Sequence, residues 1–309
     1  MNTQFNRPKG FGEILDHTFR LSKSHFTKFF LILLIVLGPI YLLQAIADFM
    51  SGTNFFREVG VGGPWYEQII SGFDQSAEAD YEEFTPTSLI ANLIFIIGGL
   101  ISVFVAPVGG AAILIGVDRL RKKEEFTVKS ALKQAFSRYW PILGSSLLFG
   151  VIVFGMIIGP IFISGFVGIF GAVANPFLGI LMAILLFLGF AVGIGYFLTR
   201  WSFFFASVVL ETDSPGLSRS WRLTRNRGWI CMGIYFVFIL ITSSVSFAIE
   251  LSFGLLLGNS VLLMIIGDLV SLFTTVILSV GFAVMYFDLK VRNDADDLDE
   301  MMDEYTAIQ

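Results

Sequence analysis

Charge is scarce in this chain. Of its 309 residues only 15% are charged, where a soluble globular chain carries roughly 25%. With 55% hydrophobic residues and a mean hydropathy of +0.78, that deficit excludes the pair of soluble domains that length alone would allow. Cysteine is nearly missing. Cys231 stands alone, so there is no internal disulfide framework and no multi-cysteine metal site. Histidine is limited to His17 and His25, which are too far apart in sequence to form an i, i+4 ligand pair on one helix face. Gly-x-Ser-x-Gly, Walker A, HExxH and zinc patterns are lacking. These gaps argue against an enzyme, and they call for no cofactor and no metal.

What is present in abundance is apolar sequence. Six runs approach or exceed the ~20 residues that cross a bilayer: 29–47, 88–117, 142–170, 177–199, 229–252 and 261–287. No cleavage pattern precedes the first, which follows a charged stretch, so it is expected to stay in the protein. No train of short alternating segments signals a barrel. The expected fold is therefore an all-α integral membrane protein with six transmembrane helices.

The basic residues are sorted. Arg7 to Lys28, Arg119 to Arg138, Arg200 to Arg227, and Lys290 with Arg292 all lie on one side of the six runs. Of the 20 lysines and arginines only Arg57 falls on the other. The positive-inside rule then places both termini in the cytoplasm and residues 48–87 outside. It also disposes of nucleic acid as a partner: the net charge is −5, and topology already explains the basic clusters.

One basic cluster is unusual. "SPGLSRSWRLTRNRGW", residues 214–229, sets four arginines and two tryptophans between apolar runs. On a helix, Leu217, Ser220, Trp221 and Thr224 share a face from which Arg219, Arg222 and Arg225 turn away. Ser214 and Pro215 suit an N-cap and first turn. The expectation is an interfacial helix on the inner leaflet, with Arg219, Arg222 and Arg225 meeting lipid headgroups. Two further stretches have the same character. In "ILDHTFRLSKSHF", Ile14, Leu15, Thr18, Phe19, Ser22 and Phe26 form a face opposite Glu13, Asp16, Arg20 and Lys23. In "VKSALKQAFSRYW", Val128, Leu132, Ala135, Phe136, Tyr139 and Trp140 fall together. Leu15–Phe19, Leu132–Phe136 and Leu217–Trp221 share one spacing of leucine, small residue and aromatic, and two runs follow each. The chain thus reads as three repeats of amphipathic helix plus transmembrane hairpin, at about 11–117, 128–199 and 214–287, with an acidic tail at 288–309.

"RWSFFFASVVLETDSPGLSRSWRLTRNRGW" and the opening "FGEILDHTFRLSKSHF" resemble the membrane domain found ahead of some bacterial glycerophosphoryl diester phosphodiesterases. The shared features are a span ending in Arg-Trp, then Val-Leu-Glu, a turn, a Leu-x-x-Ser-Trp helix, and an aromatic that re-enters the bilayer. The resemblance covers most of the chain and implies a six-helix membrane fold. The catalytic barrel of those enzymes has no counterpart here, and neither do its histidines and metal-binding carboxylates.

A few polar residues interrupt the runs. Glu250 sits near the outer end of the fifth. Asp268 lies deeper in the sixth, where a carboxylate is costly and is a functional candidate by default. Two readings stay open for it. It lines a path, or it closes a local network with hydroxyls such as Ser243 or Ser246, in which case leucine in its place would cost stability. Pro39, Pro107 and Pro160 each interrupt a run, either framing a cavity or curving helices around one another. The phenylalanines of "WSFFFASVVLE", past Arg200, are expected to be covered by the third amphipathic helix. Loop 48–87 either caps the outer mouth or is solvated, and the tail is frayed or a short helix. The function expected is that of a non-catalytic accessory or scaffold subunit in the cell membrane, engaging membrane lipids and a partner membrane or cytoplasmic protein. The alternative is a transporter or lipid-handling permease that uses the kinked spans and Asp268, and a membrane phosphodiesterase comes third.

Overall fold

A computed structural model describes residues 7–56, 86–211, 215–258 and 260–308. Among these every regular element is helical. The longer ones, in chain order, are α1 (Phe11–Ser24), α2 (Phe26–Met50), α3 (Pro86–Arg121), α4 (Val128–Ser137), α5 (Tyr139–Ala174), α6 (Pro176–Ser202), α7 (Leu217–Leu223), α8 (Gly228–Leu257) and α9 (Val261–Ile308). Six are long and apolar enough to cross a membrane: α2, α3, α5, α6 with its continuation to Glu211, α8 and α9. Pro39, Pro107 and Pro160 sit inside α2, α3 and α5 without ending them. Tolerance of this kind is expected where lipid offers the backbone no other hydrogen-bond partner.

The ends of the helices are closed by local chemistry. Asn175 separates α5 from α6, and its Oδ1 accepts from the N–H groups of Phe177 (3.1 Å) and Leu178 (3.2 Å), with Pro176 in the first turn. Thr127 caps α4 by accepting from the Ser130 N–H at 3.2 Å. The start of α9 is capped from a distance. Val261 and Leu262 donate to the carbonyls of Asn54 and Phe55 at 3.1 and 3.2 Å, so the chain leaving α2 satisfies donors that α9 cannot.

Sequence neighbours pack as hairpins, α2 on α3, α5 on α6 and α8 on α9, while α9 also touches α1, α2 and α3. The tight core lies toward one end. Phe29, Ile113, Phe126, Phe203, Phe238, Tyr286 and Phe287 are all buried there. Close approach depends on glycine at two places. A Cβ on Gly116 would come within 3.0 Å of Phe126 and 3.2 Å of Phe29, and one on Gly281 within 2.7 Å of Phe238. The α5–α6 hairpin behaves differently: it packs on itself and leaves almost all of its length exposed.

Several expectations need correction. The helices overrun the apolar runs, because Lys and Arg at a span's end continue the helix while their charged heads leave the apolar layer. α1 stops at Ser24 and Phe26 opens α2. The buried face of α1 is consequently Ile14, His17, Thr18, Leu21 and Ser22, with Phe19 exposed. α4 breaks at Arg138, so Tyr139 and Trp140 belong to α5. Phe136 and Trp140 are exposed, and Ala131 and Ala135 form the buried contact. α7 is capped by Gly216 at φ +72°, a left-handed position suited to glycine; Ser214 lies outside the described residues. The turn Phe204–Ala206 does touch α7, as expected, but the phenylalanines after Arg200 also pack on the spans. Phe204 meets Phe149 of α5, and Phe203 stacks on Phe282 of α9 and meets Tyr235 of α8. This happens because α6 breaks at Phe203 and the chain continues as one α turn, Phe204–Ala206, and a π-helical turn, Ser207–Glu211. Of the two readings of the tail the helical one agrees with the structure, where its backbone continues α9 to Ile308. Loop 48–87 falls mostly outside the described residues.

Candidate functional site

The basic stretch that carries α7 is held by the end of α6. Arg200 lies over the Trp221 ring, its Cζ 3.5 Å from the centroid, and donates to the Trp221 carbonyl (2.9 Å) and to Thr224 Oγ1 (3.3 Å). In return the Arg200 carbonyl accepts from Ser220 Oγ at 2.7 Å. Ser220 and Thr224 are fully buried. The spacing of Leu217, Ser220, Trp221 and Thr224 places these groups on one face, so the sequence reading of that face holds. Around the latch run Tyr196, Phe197, Trp201 and Trp229, each ring in contact with the next or with Trp221.

A second cluster has Glu211 at its centre. It ends the π-helical turn and accepts from Lys290 Nζ at 2.6 Å and from Arg219 Nε at 3.1 Å. The Tyr286 hydroxyl lies beside Glu211 and Ser207, short of good hydrogen-bond geometry. A third cluster ties the two ends of the chain together. Asp288, 3% exposed, accepts from the Lys9 N–H at 2.6 Å and from Arg292 Nε at 2.9 Å, while Arg292 donates to the Lys9 carbonyl at 2.8 Å. Arg138 reaches the Val209 carbonyl at 2.8 Å, Lys28 the Phe126 carbonyl at 3.1 Å, and Arg121 lies over the Phe287 ring. The basic segments therefore converge on one end of the bundle.

Of the three arginines assigned to headgroups, Arg219 is consumed by Glu211, while Arg222 and Arg225 are exposed. Arg20, Lys23, Lys122, Lys123, Lys129 and Lys133 are exposed at the same end. Trp140 (77%) and Trp229 (64%) are the most exposed of the described tryptophans. Sequence reasoning missed Glu211, Asp288 and Lys9. The signal available was faint: Asp288, Lys290 and Arg292 alternate at the end of an apolar run, and nothing local names their partners.

His17 is buried in α1 near Lys9, and burial, followed by the charges of Lys9 and Arg20, pulls its pKa down from 6.5 to about 4. The folded state thus holds this imidazole neutral, whereas the unfolded chain takes up a proton from pH 6.5 downward. Its contribution to stability is full above pH 6.5 and is lost as pH falls toward 4. Thermal unfolding in detergent should show a midpoint that falls over that window. His17→Phe should flatten the slope, and an unchanged slope would contradict the assignment.

Asp268 stands apart from this end. Its Oδ2 is enclosed with no hydrogen-bond partner among the described residues, and neither Ser243 nor Ser246 donates to it. Glu250 is exposed near the end of α8. The structure does not bring the two carboxylates into a shared hydrogen-bond network. Among the described residues no group of three or more His, Cys, Asp and Glu is placed to hold a metal ion, and Cys231 is buried. No family model, no curated protein and no solved structure matches this chain.

Proposed function

We propose that this protein is a non-catalytic scaffold or accessory subunit of the cell membrane, with both termini cytoplasmic, holding a partner protein or lipid at the cytoplasmic leaflet. One observation carries the reading: the exposed cations of α1, α4 and α7 and the exposed Trp140 and Trp229 occur at a single end of the bundle. Cations beside tryptophan are the combination that settles at an anionic headgroup layer. On this reading α1, α4 and α7 are interfacial helices, and each opens one of three helix-plus-hairpin repeats, in keeping with the resemblance to the phosphodiesterase membrane domain. The outward face of α7 then presents Arg222 and Arg225 to headgroups, while Arg219 locks the helix to Glu211.

Topology provides the test. In a Cys231→Ser background, a cysteine placed at Gln75 should react with a membrane-impermeant maleimide in intact cells, and one placed at Lys133 only after permeabilisation. The reverse pattern would overturn the orientation and the scaffold reading with it. Crosslinking from Arg222 and Arg225 positions in cells should capture lipid or a stoichiometric partner. The second reading, a transporter or lipid-handling permease, draws on the enclosed, unpartnered oxygen of Asp268 alone.

A further inference from the structure

A groove of about 260 Å³ runs between α3 and α5, lined by Val103, Ser146, Leu147, Gly150, Val151 and Phe154. Its wall on α5 is a helical stripe. Leu147, Val151 and Phe154 fall at i+7, i+11 and i+14 from Trp140, so they share its face. From Trp140 to Phe154 the stripe is about 21 Å long at the helical rise, which is close to the thickness of one leaflet's hydrocarbon with part of its interface. A Cβ at Gly144 or Gly150 would meet nothing within 4 Å, so the groove is open along this line.

At Trp140 the stripe begins two residues after Arg138, where α4 ends. Lys129, Lys133 and Phe136 are spaced i, i+4 and i+7 on that helix, and all three are exposed. Lys123 is also exposed, while four other cations of the region are engaged within the protein. Arg119 donates to Ser130 and Gln134, Arg138 to the Val209 carbonyl, and Arg121 and Lys122 pair with Asp118. Among the described residues neither Lys129 nor Lys133 has an ion pair. In chain order these are two exposed ammonium groups, two exposed aromatics (Phe136 and Trp140), then the apolar stripe.

We propose that this surface is a binding site for one anionic phospholipid. Its phosphate meets Lys129 and Lys133, its glycerol region lies at Phe136 and Trp140, and one acyl chain occupies the groove between α3 and α5. The order of chemistry along the stripe matches that of the lipid, and the two lysines make it selective for a negative headgroup. A second copy of the chain fits this face poorly. A symmetric pair about an axis normal to the membrane sets Lys129 and Lys133 of one copy near the same lysines of the other. The assignment rests on the basic end lying at the headgroup layer, as in the scaffold reading, but it does not require a protein partner.

The test uses the full chain, purified from discs containing equal phosphatidylglycerol and phosphatidylcholine, with retained lipid counted by native mass spectrometry. Wild type should keep one phosphatidylglycerol. Gly150→Phe fills open space and should lose that lipid; Leu147→Trp, also at an exposed position, is a second plug. Lys129→Gln with Lys133→Gln should keep a lipid in the groove but lower the preference for phosphatidylglycerol about fivefold per lysine. Retention of the same lipid by both plugged variants, or none by wild type, would overturn the site. So would a plugged variant that changes oligomeric mass with its lipid unaltered, which would give the face to a second copy. Arg222→Glu with Arg225→Glu separates the two readings: it should weaken the scaffold's contacts at α7 and leave the groove lipid in place.

Discussion

Asp288→Ala is expected to destabilise the protein by about 3–5 kcal/mol, the usual cost of removing one partner from a buried ion pair. Asp288 is 3% exposed and holds both the Lys9 N–H and the Arg292 guanidinium. Without its carboxylate, the guanidinium keeps only the Lys9 carbonyl, and the Lys9 amide loses its acceptor. Desolvation of those groups is then uncompensated, which outweighs any gain from removing a charge. The effect should be specific in place as well as large. The strap at residues 7–10 should come away from α9, so proteolysis at the N-terminus should quicken before the bundle unfolds. Asp288→Asn keeps one acceptor and should cost less. By contrast, breaking the exposed Arg7–Glu13 pair should change stability by no more than about 1 kcal/mol. An Asp288→Ala protein with a wild-type unfolding midpoint and unaltered proteolysis would show that the strap does not anchor α1.

Replacing Asp268 with leucine is expected to raise the unfolding midpoint. The residue's Oδ2 is enclosed and unpartnered among the described residues. An unsatisfied buried polar group carries a penalty of about 1–3 kcal/mol, and an apolar side chain of similar volume removes it. One of the two readings left open by the sequence led to the opposite, with hydroxyls such as Ser243 or Ser246 satisfying the carboxylate. Neither donates to it. Asp268→Asn keeps the shape and cannot ionise, so it should be close to neutral for stability. A folded Asp268→Asn protein that loses activity in cells would favour the transporter reading. A fall in midpoint for Asp268→Leu would mean the carboxylate is satisfied after all.

Much of this was legible in the residues themselves. The six apolar runs appear as six long helices, and the Leu217–Thr224 spacing does place Ser220 and Thr224 in the core and Arg222 and Arg225 outside it. Both follow from periodicity and length, which are local properties. Other readings failed at breaks in the chain. Treating Phe26 and Trp140 as parts of α1 and α4 ignored the turns at His25 and Arg138. The burial of Phe203 and Phe204 depends on a change from α to π turns that no residue in "WSFFFASVVLE" announces.

What the sequence by itself determined is the class of the protein: an all-helical chain with six segments long and apolar enough to cross a membrane. It also set the separation of charge that puts nearly every cation on one side of the six runs. Only the tertiary structure decided which cations remain exposed. Arg219, Arg292, Arg138 and Lys28 look no different in sequence from Arg222 or Lys133, yet each is engaged by a group far along the chain or on another helix. The same holds for the groove on α5. In lipid, positions that face a neighbouring helix and positions that face acyl chains are both apolar. A span's sequence therefore carries no polar face to mark its neighbours, and the packing of α5 against α6, leaving its stripe from Trp140 to Phe154 open, is set by the three-dimensional fit alone.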